Sequence, residues 1–131
     1  MRIVDRITFL AMPAGTLFAK FPPQPEAPAV MAIDFGELQI KDDTSSNDYW
    51  YVDTVPPPEL AYDSADYLDA VAAAVLNLGT SMGVLDFETI QRDGLFDVDQ
   101  LFAVFEREDV VRLVRRLQQA LANAYGEEEA A

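Results

Sequence analysis

The sequence predicts an α+β fold: an antiparallel sheet drawn from the N-terminal half and the Val84–Phe105 region, packed with two helices at about 64–78 and 108–125. Three observations predict it. All eight prolines lie at or before Pro58, so long helices are free to form only beyond that point. Short apolar runs with period-two alternation fill much of the first half. Two apolar faces with helical spacing stand in the second. The 131 residues fit one domain over 1–125 with an acidic tail at 126–131, because neither half alone carries enough apolar surface for a core.

Taken in order, Ile3–Leu10 is apolar with Asp5, Arg6 and Thr8 interspersed, and reads as a strand or a short helix. Met12–Gly15 is a turn, with Gly15 free to take positive φ, and Thr16–Phe21 has strand propensity. Phe21–Pro28 carries four prolines and reads as a loop or extended edge. Short apolar runs follow at Val30–Ile33 and Gly36–Lys41. The polar cluster Asp42–Asp48 joins Leu38–Lys41 to the aromatic run Tyr49–Asp53 as a hairpin, and Pro56–Pro58 ends it stiffly. Asp63 or Ser64 can cap the first long helix, Asp66 and Asp69 suit its positive end, and Gly79 closes it. Val84–Ile90 alternates around Leu85, Phe87 and Thr89 and predicts a strand. Asp93-Gly94 is the strongest short turn signal in the chain. Leu101–Phe105 reads as a further strand, or else is absorbed into a helix starting near Asp99. Asp109 can cap the last helix, whose apolar face is Val110, Leu113, Val114, Leu117, Leu121 and Ala124.

Nine Lys and Arg against 23 Asp and Glu give a net charge of −14. That charge argues against DNA, RNA or an anionic membrane as partner, since each needs a positive footprint. It suits a nucleic-acid mimic, a partner for a basic protein, or solubility alone. No apolar run is long enough to span a membrane and no signal-peptide pattern opens the chain, which leads to the expectation of a cytosolic protein. With no His and no Cys, the chain cannot form a Ser–His–Asp triad, a thiolate nucleophile or a His- or Cys-ligated metal site. A binding protein without cofactor or metal is therefore expected, not an enzyme.

Positive charge is scarce and unevenly placed. Arg92, Arg107, Arg112, Arg115 and Arg116 put five of the nine basic residues between positions 92 and 116. Arg112, Arg115 and Arg116 share one side of the last helix, opposite its apolar face. A guanidinium fork suits phosphate; the plainer reading is a solvated face with short-range pairs such as Glu108–Arg112. Arg92–Asp99 is dense in carboxylates, but its glycine follows the first Asp and the order of a calcium loop fails. Its plainer reading is a tight turn. A hydrolase built on Asp93, Asp97 and Asp99 has no marked base or metal. In Tyr49-Trp50-Tyr51 two rings share a face, either to stack a base or to cover the sheet.

Two stretches also resemble a known group. Thr8–Phe18 (Thr-Phe-Leu-Ala-Met-Pro-Ala-Gly-Thr-Leu-Phe) and Arg92–Val110 (Arg-Asp-Gly-Leu-Phe-Asp-Val-Asp-Gln-Leu-Phe-Ala-Val-Phe-Glu-Arg-Glu-Asp-Val) are similar to the opening and the C-terminal signature of the phage anti-Thoeris sponge proteins. The resemblance implies an antiparallel sheet with two helices. It also implies a non-enzymatic role in the cytoplasm of an infected bacterium: sequestering cyclic ADP-ribose-type immune signals, and in some members cyclic oligonucleotides. Assembly as a dimer or hexamer, with the ligand between protomers, is implied too. Carried onto this chain, Phe87 or Phe96 would take the adenine. Arg92 with Arg112, Arg115 and Arg116 would take the pyrophosphate, and Asp93 or Asp97 the ribose hydroxyls. Lys20 is the basic residue available for an N-terminal contact, where Pro22–Pro28 departs from the pattern. The competing reading is an acidic nucleic-acid mimic of the anti-CRISPR type that occupies a basic groove of a defence protein; a third is a structural phage protein.

Overall fold

The computed structural model describes residues 1–21, 38–45, 48–59, 64–94 and 98–126. Among these residues the fold is α+β, with a six-stranded antiparallel sheet and three helices. The strands are β1 (Arg2–Val4), β2 (Leu17–Phe21), β3 (Gln39–Ser45), β4 (Asp48–Asp53), β5 (Gln91–Asp93) and β6 (Leu101–Val104). The helices are α1 (Arg6–Leu10), α2 (Ser64–Leu76) and α3 (Arg107–Ala120), the last continuing into a π-helical turn, Leu121–Tyr125. Strand order is β1-β6-β2-β3-β4-β5. The hairpin expected from the polar cluster is β3–β4, with a register shift between Lys41 and Thr44. Leu101–Val104 is a strand and not the start of a helix, because it pairs with β2 on one side and β1 on the other.

Ile3–Leu10 divides into both of its alternatives, a strand and then a helix. Asp5 makes the division: its backbone is extended and its side chain accepts the Thr8 N–H at 2.9 Å, capping α1. The other end of α1 is closed by Lys41 from β3, which is 2% exposed. Its ammonium donates to the carbonyls of Phe9 (3.3 Å), Leu10 (2.9 Å) and Met12. The following turn needs Gly15 at φ 95°, and its N–H donates to the Lys41 carbonyl at 2.7 Å.

The core lies between α1 and one face of the sheet. Phe9 stacks on Phe102 at 4.0 Å between centroids and meets Tyr49 edge-on at 5.0 Å, with Phe18 tilted against it at 4.6 Å. All four are fully buried. Aromatic pairs in these geometries add to the area they remove from water. The sheet's other face also contains buried residues, Leu17, Ala19, Phe21 and Ala103.

Two sequence expectations are corrected. Val84–Ile90 is not a strand; its single ladder contact is Leu85 with Pro58. Asp86 prevents more, because its side chain takes the N–H groups of Glu88 (3.0 Å) and Thr89 (3.2 Å) and the Thr89 hydroxyl. Those donors are then spent locally, and the strand begins later, at Gln91. The cap of α3 is Glu106 and not Asp109; Asp109 sits in the first turn and reaches back to accept the Glu106 N–H at 3.0 Å. The last segment is helical to Tyr125 as expected, passing from α to π geometry after Ala120. The long helices also stand apart from the core, since no residue of α3 is buried and residues 65–76 of α2 are exposed or half-buried. The segments at 22–37 and the acidic tail at 127–131 lie outside the described residues.

Candidate anion-binding cleft

The Met12–Thr16 turn and the entry into α3 face each other across a cleft of about 760 Å³. The turn is self-braced: Thr16 donates its hydroxyl to the Pro13 carbonyl at 2.7 Å, and Lys41 N–H donates to the Thr16 carbonyl at 2.9 Å. Val104, Phe105, Val110, Arg2, Arg107 and the carboxylate of Glu106 complete its lining. A second hollow of about 300 Å³ continues past Leu17 and Phe105, reaching Leu38, Arg112 and Leu113. The Phe105 N–H donates to the Leu17 carbonyl at 2.9 Å, which ties the two hollows to one ridge.

Three guanidinium groups border this composite groove. Arg2 pairs with Glu106 at 3.0 Å, both more than half exposed. Arg112 is loosely held by Glu108 at 3.4 Å, one helical turn earlier. Arg107 makes no ion pair among the described residues. Exposed pairs of this kind are worth less than about 1 kcal/mol, so a phosphate can displace them. The carboxyl of Asp109 accepts from the chain's terminal ammonium at 2.7 Å and from the Glu106 N–H at 3.0 Å. Those contacts hold it below the usual carboxylate range, so it stays ionised beside the groove. The groove thus joins arginines able to grip an anion to an apolar ridge, Leu17 and Phe105, able to take a ring.

The residues expected to form one ligand site fall in different places. Arg112 borders the groove, and Arg115 and Arg116 follow on the exposed outer side of α3. Arg92 and Asp93 lie on β5, at the opposite end of the strand order from β1, and neither lines the groove. They are also divided from each other, because adjacent strand residues point to opposite faces. Asp93 turns inward, is 6% exposed, and is already occupied by the Tyr49 hydroxyl (2.9 Å) and the Lys20 ammonium (2.6 Å). It is therefore a structural anchor and not a free acceptor for ribose. Lys20 is consumed by the same pairing. Arg92 turns outward, bonded through Nε to the buried Asp48 and lying 5.7 Å from the Trp50 ring. Trp50 accordingly faces away from Tyr49, and Tyr51 packs against the core with Tyr49. Phe87 is 64% exposed on the segment after α2, and Phe96 and Asp97 lie outside the described residues.

Arg2, Phe105 and the backbone of the Met12–Thr16 turn were not expected as site residues. Phe105 and the turn lie within the two stretches that carry the resemblance, and the fold sets those stretches side by side. Arg2 has no comparable signal; it arrives through the pairing of Arg2 with Val104. Among the described residues no helix is long and apolar enough to cross a membrane. Comparison with models of known protein families, with curated proteins and with solved structures finds no match.

Proposed function

We propose that this chain is a phage anti-defence protein that binds a cyclic nucleotide immune signal of the cyclic ADP-ribose type and holds it uncleaved. It would act in the cytoplasm of the infected bacterium. The observation that carries the reading is the groove itself, where the two stretches resembling anti-Thoeris sponge proteins meet around Arg107, Arg112 and Phe105. Arg107 and Arg112 take the pyrophosphate oxygens, and the Leu17–Phe105 ridge takes a ring of the ligand. With neither His nor Cys in the chain, the chemistry at hand is retention and not turnover. Arg92 on Trp50 is a second pairing of guanidinium and ring, and it does not line the groove. Self-association, as a dimer or hexamer, is the route by which one copy's Arg92 meets another's groove.

Ligand capture tests the proposal. The protein is incubated with lysate from cells carrying an active Thoeris signal-producing enzyme, washed, heated to release its ligand, and the supernatant analysed by mass spectrometry. The expected product is the intact cyclic nucleotide. Recovery of no nucleotide, or of linear product only, removes the reading. Arg107→Ala and Arg112→Ala should each cost about 1.5–3 kcal/mol of binding, the value of an ionic hydrogen bond, read as a roughly ten- to hundredfold rise in Kd by calorimetry.

A further inference from the structure

We infer that two hollows sharing the Pro56–Pro58 ridge as a wall form a docking surface for a basic segment of a partner protein. One hollow takes a Lys or Arg side chain, and the other takes an adjacent large apolar one. The ridge is fixed by the segment that follows α2. Asp86 N–H donates to the Pro57 carbonyl and Glu59 N–H to the Val84 carbonyl, both at 2.9 Å, and Pro58 pairs with Leu85 between them. All three prolines line both hollows. Consecutive prolines are stiff, so the wall loses little freedom when a partner docks. No residue around either hollow lines the groove of Arg107 and Arg112, so this surface stands whether or not a nucleotide is held.

Charge selects the occupant of the first hollow. It has a volume of about 270 Å³ and is bordered by Asp53, Glu59 and Asp86. The donors that orient these carboxylates are neutral. Asp53 accepts from the side-chain amides of Gln39 (3.3 Å) and Gln91 (2.7 Å), and Asp86 from the N–H groups of Glu88 (3.0 Å) and Thr89 (3.2 Å). Among the described residues no ion pair reaches any of the three. The chain has no Lys or Arg between Lys41 and Arg92 to supply one. Nor are carboxylates grouped to hold a metal ion among the described residues. A guanidinium or ammonium on an aliphatic stem answers this charge, because the stem can lie along the proline rings while the head reaches the carboxylates. The hollow is smaller than the roughly 300 Å³ of the smallest ligand pockets, so it suits a side chain and not a whole ligand. The second hollow, of about 490 Å³, is lined beyond the prolines by Val55, Tyr67, Met82, Gly83 and Leu85. Val55 and Tyr67 are 74% and 45% exposed. An acidic hollow alone would accept any cation, and an apolar one any greasy side chain. Sharing one wall, they select a segment in which the two side chains are neighbours.

The test is a titration of the isotope-labelled full chain with the capped peptide Gly-Arg-Leu-Arg-Leu-Gly, followed through backbone amide shifts by NMR. Saturable shifts are expected at Asp53, Val55, Glu59, Leu85, Asp86 and Gln91. Peptides with Glu in place of Arg, or Ser in place of Leu, should bind about tenfold more weakly or worse. Glu59→Lys, which gives the first hollow a cation from its own chain, should weaken the Arg-Leu peptide by about tenfold. Val55→Ser, which alters no charge, should weaken it as well. Both side chains are exposed, so amide signals away from the hollows should keep their wild-type positions in both variants. An absence of shifts overturns the proposal. Shifts spread over Asp66, Asp69 and the other exposed carboxylates, or undiminished binding by either variant or by the Ser peptide, show only a general attraction to an acidic chain and overturn it too. If the same amides move when the chain alone is diluted, the surface belongs to a second copy and not to a foreign segment.

Discussion

Tyr49 shows how a single residue sets the chain's response to alkali. It is fully buried beneath α1, and its hydroxyl donates to the Asp93 carboxylate at 2.9 Å. Burial first, and then the neighbouring negative charge, push its ionisation well above the ordinary tyrosine value. An unfolded tyrosine loses its proton near pH 10, while the folded chain retains it. The folded state therefore holds more protons than the unfolded one at higher pH. Its stability is complete below about pH 10 and falls above it, by up to about 1.4 kcal/mol per pH unit for this one group. Urea unfolding between pH 9 and 11.5 should show that fall in the wild type. Tyr49→Phe should shallow the slope, at a cost near pH 7 of roughly 1–3 kcal/mol for the lost bond to a charged partner. An identical alkaline slope in the variant would assign the effect to another residue.

At the scale of elements, α1 is five residues long, too short to persist on its own. Its two ends and its one large ring maintain it: the Asp5 cap, the Lys41 ammonium on its last carbonyls, and Phe9 in the core. Lys41→Met keeps the stem's volume and removes the donors, leaving carbonyls of Phe9, Leu10 and Met12 without their ionic partner. The expected loss is about 2–3 kcal/mol, read as a lower urea midpoint, since bonds to a charged group each contribute about 1.5–3 kcal/mol but the burial cost of the charge is also removed. The sequence made some of this legible and hid the rest for physical reasons. Period-two patterning exposed the β3–β4 hairpin, and helical spacing exposed α2 and α3. Lys41 gave no sign, because alternation placed it as an ordinary polar residue and its three acceptors lie about thirty positions away. Val84–Ile90 misled because Asp86 offers local bonds that compete with a ladder. Arg92 and Asp93 misled in the opposite way: neighbours in sequence, they are divided by the pleat of β5. The arginine cluster marked α3, but the groove beside that helix is completed by Arg2 and the Met12–Thr16 turn, which only the pairing of β1 and β2 with β6 brings near.

For the whole molecule, the net charge of −14 and the local arginines act at different ranges. A ligand carrying a pyrophosphate approaches a strongly negative body and is repelled until it is close. Within the proposed site it would meet Arg107 and Arg112 at contact distance. Salt divides these effects, because the Debye length is about 10 Å at 0.1 M: far repulsion is screened, and contacts of a few ångströms are affected much less. The association rate of a cyclic ADP-ribose-type ligand should therefore rise as sodium chloride goes from about 50 to 300 mM, with a smaller change in the dissociation rate. A protein that used its negative charge to occupy a basic nucleic-acid groove would behave the other way, losing association rate steeply with salt. Stopped-flow measurement with a fluorescent cyclic ADP-ribose analogue, over that range, separates the two. A fall in the association rate for the nucleotide would mean that the arginines govern the approach as well as the bound state, and that the acidic remainder of the chain has no part in selecting a small ligand over a polymeric one.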